Sequence, residues 1–475
     1  MMQQWDVLVV GAGPAGLSAA TAATRAGARV AVIDELDAPG GQLFRQLPGG
    51  LRGKAGSRLG RDAAKGRPLL DEFDRLGIQL FRNTTVWGCF DARVLEVATA
   101  DRCWRMAAEA VVIATGASDR PTPLPGWTLP GVFTLGGAQT LLKSQRVLPG
   151  DRILLAGTGP LLLVVASQLA AAGANIVGVV DAVRTKAVIR HGIALLCVPS
   201  VLRDATSYRW SLWKRRVPWI SPAAILSING EREVEGAVVC SVDEEWRPIA
   251  GTERCLAVDT VCVGYGLQPD IGLLRLCGCA IEHDEGADVW VPHRSQEFET
   301  SVPGVFAVGD GARVAGALVA VEEGRVAGIA AARRAGRIDA DAARVAMGPS
   351  LARLGKLQRF RAAIDEVYRL RPGLQELTTA GTTVCRCEEV TASAVADALA
   401  GGAQSLNQVK AWTRAGMGSC QARMCATSIT ALAAAALGRV SASLPPFTPR
   451  PPIKPVPVAA LINPSDADET NPGGN

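Results

Sequence analysis

The chain has 475 residues, too many for one hydrophobic core of ordinary size, so two to four domains are expected. Its 50 Lys and Arg against 45 Asp and Glu leave a formal charge of +5 with no basic run, which argues against a nucleic-acid partner. Apolar residues at 48%, 51 glycines and only 5% aromatics indicate an α/β enzyme, a class whose phosphate loops and strand turns need glycine. Met1-Met2-Gln3-Gln4-Trp5 lacks a basic region and leads at once into a strand pattern, so no secretory signal is expected and a cytoplasmic location follows. In that compartment twelve cysteines imply reduced thiols or metal ligands rather than disulfides.

The first βαβ unit reads as a strand over 7–10, a glycine turn, a helix over 15–26 and a strand over 29–33. Gly11-Ala12-Gly13-Pro14-Ala15-Gly16 falls between strand and helix, the context that a dinucleotide fingerprint requires. Gly11 permits the tight turn, Gly13 admits backbone to a pyrophosphate, and Gly16 allows close helix packing. The helix start at Pro14 and Ala15 then faces the phosphates. Asp34 closes the second strand where a carboxylate would accept hydrogen bonds from an adenosine ribose, with its neighbour Glu35 as the alternative.

Residues 111–116 look like a buried strand ending in a glycine turn, and the proline-rich crossover over 121–130 suggests a boundary near residue 120. A second βαβ unit spans 151–181. No charged side chain occurs from Ile153 to Val180, but Gly157, Gly159, Pro160 and Asn175 divide that run into strand, turn, helix and strand, so no transmembrane segment is expected. Its fingerprint, Gly157-Thr158-Gly159-Pro160-Leu161-Leu162, has leucine in place of the third glycine, which obstructs the closest approach of helix to strand. Asp181 would favour an unphosphorylated ribose. Two readings stay open for this unit: a site for NAD(H) or another adenine nucleotide, and a retained fold element without redox role.

No Cys-x-x-Cys occurs in either unit, and Cys277-Gly278-Cys279 is expected to pack as small apolar residues. Tyr208, Trp210, Trp213 and Trp219 around Lys214-Arg215-Arg216 form either a partner surface or half-buried rings beside a solvated turn. A later strand over 304–308 ends in Gly309-Asp310-Gly311, and a helix over about 317–335 returns the chain to the first domain. A charged helical connector follows. Cys385-Arg386-Cys387 and Cys420-Gln421-Ala422-Arg423-Met424-Cys425 then supply four thiolates, the ligand set of a [2Fe-2S] cluster, with Gly416 and Gly418 able to aim N–H groups at sulfur and a helix expected to begin near Cys420. A Rieske centre is excluded because His191, His283 and His293 all lie elsewhere; structural zinc and buried free cysteines stay open.

The resulting division is 1–120 and 266–338 for a first dinucleotide domain, 121–265 for an inserted second one, 339–380 for the connector, 381–440 for the cysteine domain and 441–475 for an extended tail too rich in proline for a core.

Ala114-Thr115-Gly116, the stretch from Thr300 to Asp310, and Gly40-Gly41-Gln42 resemble landmarks of the two-dinucleotide-domain flavoproteins related to glutathione and thioredoxin reductases. That resemblance implies a glutathione-reductase-like, Rossmann-type α/β fold in which Gly41 and Gln42 run beside FAD, Thr115 and Gly116 form a second landmark, and Asp310 of the Gly309-Asp310 pair bonds the flavin ribitol. With Gly126 to Val132, the altered second fingerprint and the cysteine module, the whole resembles α subunits of heteromeric amine and amino-acid dehydrogenases. That group holds the A chain of opine oxidase, the B chain of hydrogen cyanide synthase and the proline and hydroxyproline dehydrogenase α subunits. The C-terminal module is similar to bacterioferritin-associated-ferredoxin [2Fe-2S] domains. The resemblance implies an electron-transfer subunit with FAD and a [2Fe-2S] cluster. Its implied partners are a β flavoprotein subunit, D-amino-acid-oxidase-like, that oxidises the amine, a small ferredoxin-like subunit, and a downstream electron acceptor. It also brings an FMN at a subunit interface, which no residue here identifies, and a membrane association through partners. Two other functions stay open: a self-contained NAD(P)H-dependent FAD and iron-sulfur oxidoreductase, and a non-catalytic assembly or redox-sensing subunit.

Overall fold

The computed structural model describes residues 4–47, 61–184, 186, 190 and 197–462. Its first sheet has the order β3-β2-β1-β6-β5-β4, built from β1 (Gln4–Val10), β2 (Val30–Ile33), β3 (Gln79–Phe81), β4 (Thr85–Asp91), β5 (Val94–Ala98) and β6 (Cys103–Ile113). Because β1, β2 and the C-terminal end of β6 run parallel and are covered on both faces, they read as continuous apolar runs, whereas the first half of β6, paired antiparallel with β5, alternates. Helix α1 (Pro14–Arg25) provides the crossover from β1 to β2.

The short β7 (Ala117–Asp119) leaves this domain. A second parallel sheet follows, ordered β11-β10-β9-β15-β8, from β8 (Val132–Thr134), β9 (Ile153–Gly157), β10 (Ile176–Asp181), β11 (Trp219–Ile220) and β15 (Thr260–Gly264). Helix α2 (Pro160–Ala171) crosses from β9 to β10. The antiparallel β12 (Ala223–Asn229), β13 (Gly236–Ser241) and β14 (Arg254–Ala257) complete the unit. The chain returns along β16 (Leu267–Pro269), which pairs antiparallel with β7, so the outgoing and incoming connections form one ribbon. After the hairpin of β17 (Ile281–Asp284) and β18 (Val289–Pro292), β19 (Val305–Ala307) joins the first sheet beside β6. The Ala- and Gly-rich α3 (Ala317–Arg334) then packs on α1 so closely that a Cβ at Gly324 would stand 2.2 Å from the Ala15 carbonyl oxygen.

Helix α4 (Ala340–Val367) is the expected connector, opened by the Asp339 carboxylate capping the Ala342 N–H. Its C-terminal end enters the second unit, where Val367, Leu374 and Leu377 join the core. The cysteine module holds β20 (Thr383–Cys385), β21 (Val390–Thr391) and α5 (Ala426–Ala436) around its own core. No helix among the described residues is long and apolar enough to cross a membrane.

The segment after residue 440 departs from the expected extended tail without a core. Leu444 and Phe447 are buried in the core of the cysteine module, the Arg275 guanidinium donates to the Pro446 and Phe447 carbonyls, and the Ile453 N–H donates to the Trp87 carbonyl at 2.9 Å. Prolines limit regular structure here to the short turn Ser441–Ser443 and the short helix Val458–Ile462, but they do not prevent burial of the apolar residues between them. Of the expected tail, residues 463–475 lie outside the described residues.

Candidate functional site

The Gly11–Gly16 turn joins β1 to α1 with no room for side chains at two positions. A Cβ at Gly11, where φ is +99°, would lie 2.4 Å from the Ala114 carbonyl oxygen, and one at Gly16 only 1.8 Å from the Gly11 carbonyl oxygen. Around Gly13 the nearest neighbour to such a Cβ is the Gly41 Cα at 4.0 Å, so space remains above the helix start. Helix α1 has no side-chain cap, which leaves N–H groups of its first turn available to an anion.

Distant motifs converge on this end of the sheet. The Gly40 N–H donates to the Ala12 carbonyl at 2.8 Å, and a Cβ on Gly41 would stand 2.8 Å from the Gly13 Cα. Gln42 extends outward and accepts from Arg45 Nη2 at 2.9 Å. Gly309 abuts Ala15, and Gly311 abuts Thr115 and Gly116 closely enough that a Cβ on either would collide. Asp310 Oδ1 accepts from the N–H groups of Ala315 and Gly316, both at 2.8 Å, which fixes the carboxylate while its second oxygen takes no donor among the described residues.

The two acids at the end of β2 differ in burial. Asp34 is buried, and its oxygens already accept from the Ala12 N–H at 2.5 Å and the Leu36 N–H at 2.8 Å. Burial raises its carboxyl pKa against those two bonds. Asp34 therefore ties the glycine turn to β2, and the exposed Glu35, paired with Lys454, is the carboxylate that faces outward. Sequence reasoning missed Glu323 and Arg294. Buried Glu323 accepts from the Gly309 N–H at 2.8 Å and from Arg294 Nη1 at 3.0 Å, and so supports the Gly-Asp turn from beneath. Burial drives its carboxyl pKa up, with Arg294 opposing. Two adjacent glutamates inside an otherwise small and apolar helix were the available signal.

In the second unit, the Thr158 N–H bonds the Gly264 carbonyl at 2.9 Å and the Leu162 N–H turns back to the Gly159 carbonyl at 3.2 Å. The Leu162 side chain is buried with Leu155, Val165 and Leu169. Asp181 accepts from the Val183 N–H at 3.1 Å and makes no bond to its glycine turn. Burial pushes its carboxyl up to about 6, opposed by Arg209.

The four cysteines form two facing pairs. Buried Cys425 donates to buried Cys385, and Cys387 donates to Cys420 nearer the surface. The Gly416 N–H reaches Cys385 Sγ at 3.4 Å, and a Cβ on Gly418 would lie 2.3 Å from the Cys387 Cβ. The Cys385 thiol is held down to about 5, first by the Cys425 hydrogen bond and then by backbone N–H donors. Donation to Cys385 pushes Cys425 up, and burial does the same to Cys387. The helix expected near Cys420 starts later, at Ala426, because Gln421 and Ala422 adopt left-handed φ values of 51° and 66°. Its N-terminus therefore meets Cys425. Non-glycine residues held in this region cost roughly 1–3 kcal/mol each and collect at functional sites. Among the described residues no three His, Cys, Asp or Glu side chains surround one point as a single metal ion would require.

Residues 5–336 match the pyridine nucleotide-disulphide oxidoreductase family, well over half of the chain. The chain belongs to that family. It is a flavoprotein oxidoreductase with the family's α/β fold. Residues 381–463 match the sarcosine oxidase A3 domain, which takes in the docked segment beyond residue 440. The A chain of opine oxidase from Rhizobium meliloti is 35% identical over 471 residues, covering 96% of this chain and 87% of that one. Hydrogen cyanide synthase subunit HcnB of Pseudomonas aeruginosa is 34% identical over 464 residues, covering 96% and 98%. Among solved structures, L-proline dehydrogenase from P. horikoshii superposes with a TM-score of 0.66 at 19% identity, covering 95% of this chain and 78% of that one. T. acidophilum thioredoxin reductase superposes with a TM-score of 0.50 at 20% identity, covering 70% and 98%.

The residues of this family member fit FAD in the first unit. The open space over Gly13, the uncapped start of α1, outward-facing Glu35 and the unpaired oxygen of Asp310 correspond in kind to a pyrophosphate, a ribose and a polyol chain.

Proposed function

We propose that this chain is the FAD- and [2Fe-2S]-carrying α subunit of a multi-subunit amino-acid or opine-type dehydrogenase, which takes electrons from a partner flavoprotein subunit where the amine is oxidised. The observation that carries the reading is a dinucleotide cradle and a four-cysteine loop in one chain, hydrogen-bonded to each other through the ribbon between the dinucleotide units. FAD supplies reversible electron acceptance when bound. The first turn of α1 would hold its pyrophosphate, Glu35 its adenosine ribose and Asp310 its ribitol. Cys385, Cys387, Cys420 and Cys425 would hold the cluster as thiolates, and the Gly416 N–H would offset part of the resulting negative charge. The relatives named as subunits of opine oxidase and hydrogen cyanide synthase support a partner-dependent role. A self-contained NAD(P)H reductase is the poorer fit, since the second fingerprint carries buried Leu162 in place of its third glycine, which keeps its helix from the closest approach to the strand.

Anaerobic purification with the partner subunit should yield about one FAD, two irons and two sulfides per chain. Cys420→Ser should lose the iron and its paramagnetic signal on reduction while FAD is retained. Zinc in place of iron, or undiminished electron delivery by the Cys420→Ser complex, would refute the relay.

A further inference from the structure

Gln268 lies on β16, in the ribbon joining the two dinucleotide units, and only 7% of its surface is exposed. Its carboxamide enters the cysteine loop and engages it on both sides of Cys425. Nε2 donates to the Arg423 carbonyl, and Oε1 accepts from the Thr427 hydroxyl at 3.1 Å. The other end of the same strand is fixed to the first unit's cofactor cradle, because the Thr115 hydroxyl donates to the Asp270 carbonyl at 2.9 Å and the Asp270 N–H donates to the Gly116 carbonyl at 3.1 Å. Thr115 and Gly116 in turn contact Gly311 beside Asp310. A short covalent and hydrogen-bonded path thus runs from the Gly-Asp turn to the cysteine loop, with Gln268 as the side chain that crosses between them. The neighbouring Arg423 to Asp270 ion pair, at 3.9 Å and partly exposed, is a weak second tie.

Resting on the relay reading above, we infer that Gln268 is a positioning residue that sets the distance and orientation of the Cys425 side of the cluster site relative to the flavin site, and so governs the rate of electron passage between them. One electron leaves the flavin and arrives at the cluster in each step, and an external one-electron acceptor such as a ferricenium salt removes it before the second follows. A buried amide satisfied at both ends is suited to this, because removing its hydrogen bonds leaves Arg423 O and Thr427 Oγ1 unpaired inside the protein and frees the loop to move.

The test uses the complete complex with Gln268→Met, which keeps the volume but neither donates nor accepts, and Gln268→Glu, which keeps acceptance from Thr427 but loses donation to Arg423. Photoreduction of the flavin, followed by the absorbance change of the cluster, gives the transfer rate. The expected result is a fall of roughly tenfold or more in the Met variant, since displacements near 1 Å have effects of that order or larger, and a smaller fall in the Glu variant. Iron content, flavin content and the cluster midpoint potential should match the wild type, while hydrogen exchange over residues 419–428 speeds up, a readout independent of turnover. A wild-type rate in Gln268→Met, or a rate loss explained fully by a shifted cluster potential, overturns the positioning role alone. No transfer in the wild-type complex, with both groups present, overturns the relay reading and this inference with it.

Discussion

The two βαβ units share a topology and differ at the third position of the fingerprint, Gly16 in one and Leu162 in the other. In the first, Gly16 brings α1 against β1 so tightly that a Cβ would overlap the Gly11 carbonyl oxygen, while the helix start is open above Gly13 as it is above Gly159 in the second. In the second, Leu162 fills the equivalent step with a buried side chain and spends its own N–H on Gly159. Their closing acids diverge in the same way. Asp34 bonds its glycine turn through the Ala12 N–H, which makes turn and strand one rigid unit, whereas Asp181 bonds only forward to Val183. A parallel fold can therefore be kept while the fingerprint of its phosphate turn changes, because the strand ladder and the phosphate contacts depend on different atoms.

Gly16→Leu, which gives the first unit the second unit's residue, should have the largest effect. The added side chain meets backbone, not a flexible neighbour, so flavin per chain measured by visible absorbance should fall to near zero, with much of the soluble protein lost. Full flavin in a soluble Gly16→Leu protein would erase the distinction drawn between the units. Leu162→Gly makes the reverse change and should cost about 2–5 kcal/mol for the buried side chain, plus about 1 kcal/mol for glycine within a helix. Calorimetry should show a lowered transition while flavin content stays unchanged.

Mixing the purified chain with NADH without oxygen sharpens the comparison further: little flavin bleaching is expected, and rapid stoichiometric bleaching would restore a working second site. The smallest effect is expected from Asp181→Asn. The folded-state pKa of Asp181, about 6, lies above the ordinary carboxyl value of 3.8, so the folded chain binds that proton more tightly than the unfolded chain. Stability of the second unit should thus decline as pH rises from about 4 to 6 and stay at the lower level above it. The variant should melt with the wild type near pH 4 and above it at pH 7, by roughly 1–2 kcal/mol once partial exposure is discounted. Coincident melting at both pH values would show that Asp181 is not strained by burial.

By itself the sequence determined the features that depend on local backbone geometry. Glycines spaced for a turn and a close helix, apolar runs of strand length, and paired cysteines on short loops all carry their meaning within a few residues, so the two dinucleotide units, the altered second fingerprint and the four-cysteine module are legible in the residues alone. The tertiary structure decided what required partners far along the chain. Folding brought the Ala12 N–H to the carboxylate of Asp34, so the acid read as a ribose ligand also ties the glycine turn to β2. Glu323 had no visible role until Arg294 and Gly309 came beneath it. The proline-rich segment looked unfit for a core because its apolar residues bury against a module and a strand that no local pattern names. The helix beside the cysteines began late because Gln421 and Ala422 hold left-handed conformations that neither residue type announces. In each case the deciding energy is a hydrogen bond or buried contact between groups brought together only by the completed fold, and such pairings leave no periodicity for a sequence to display.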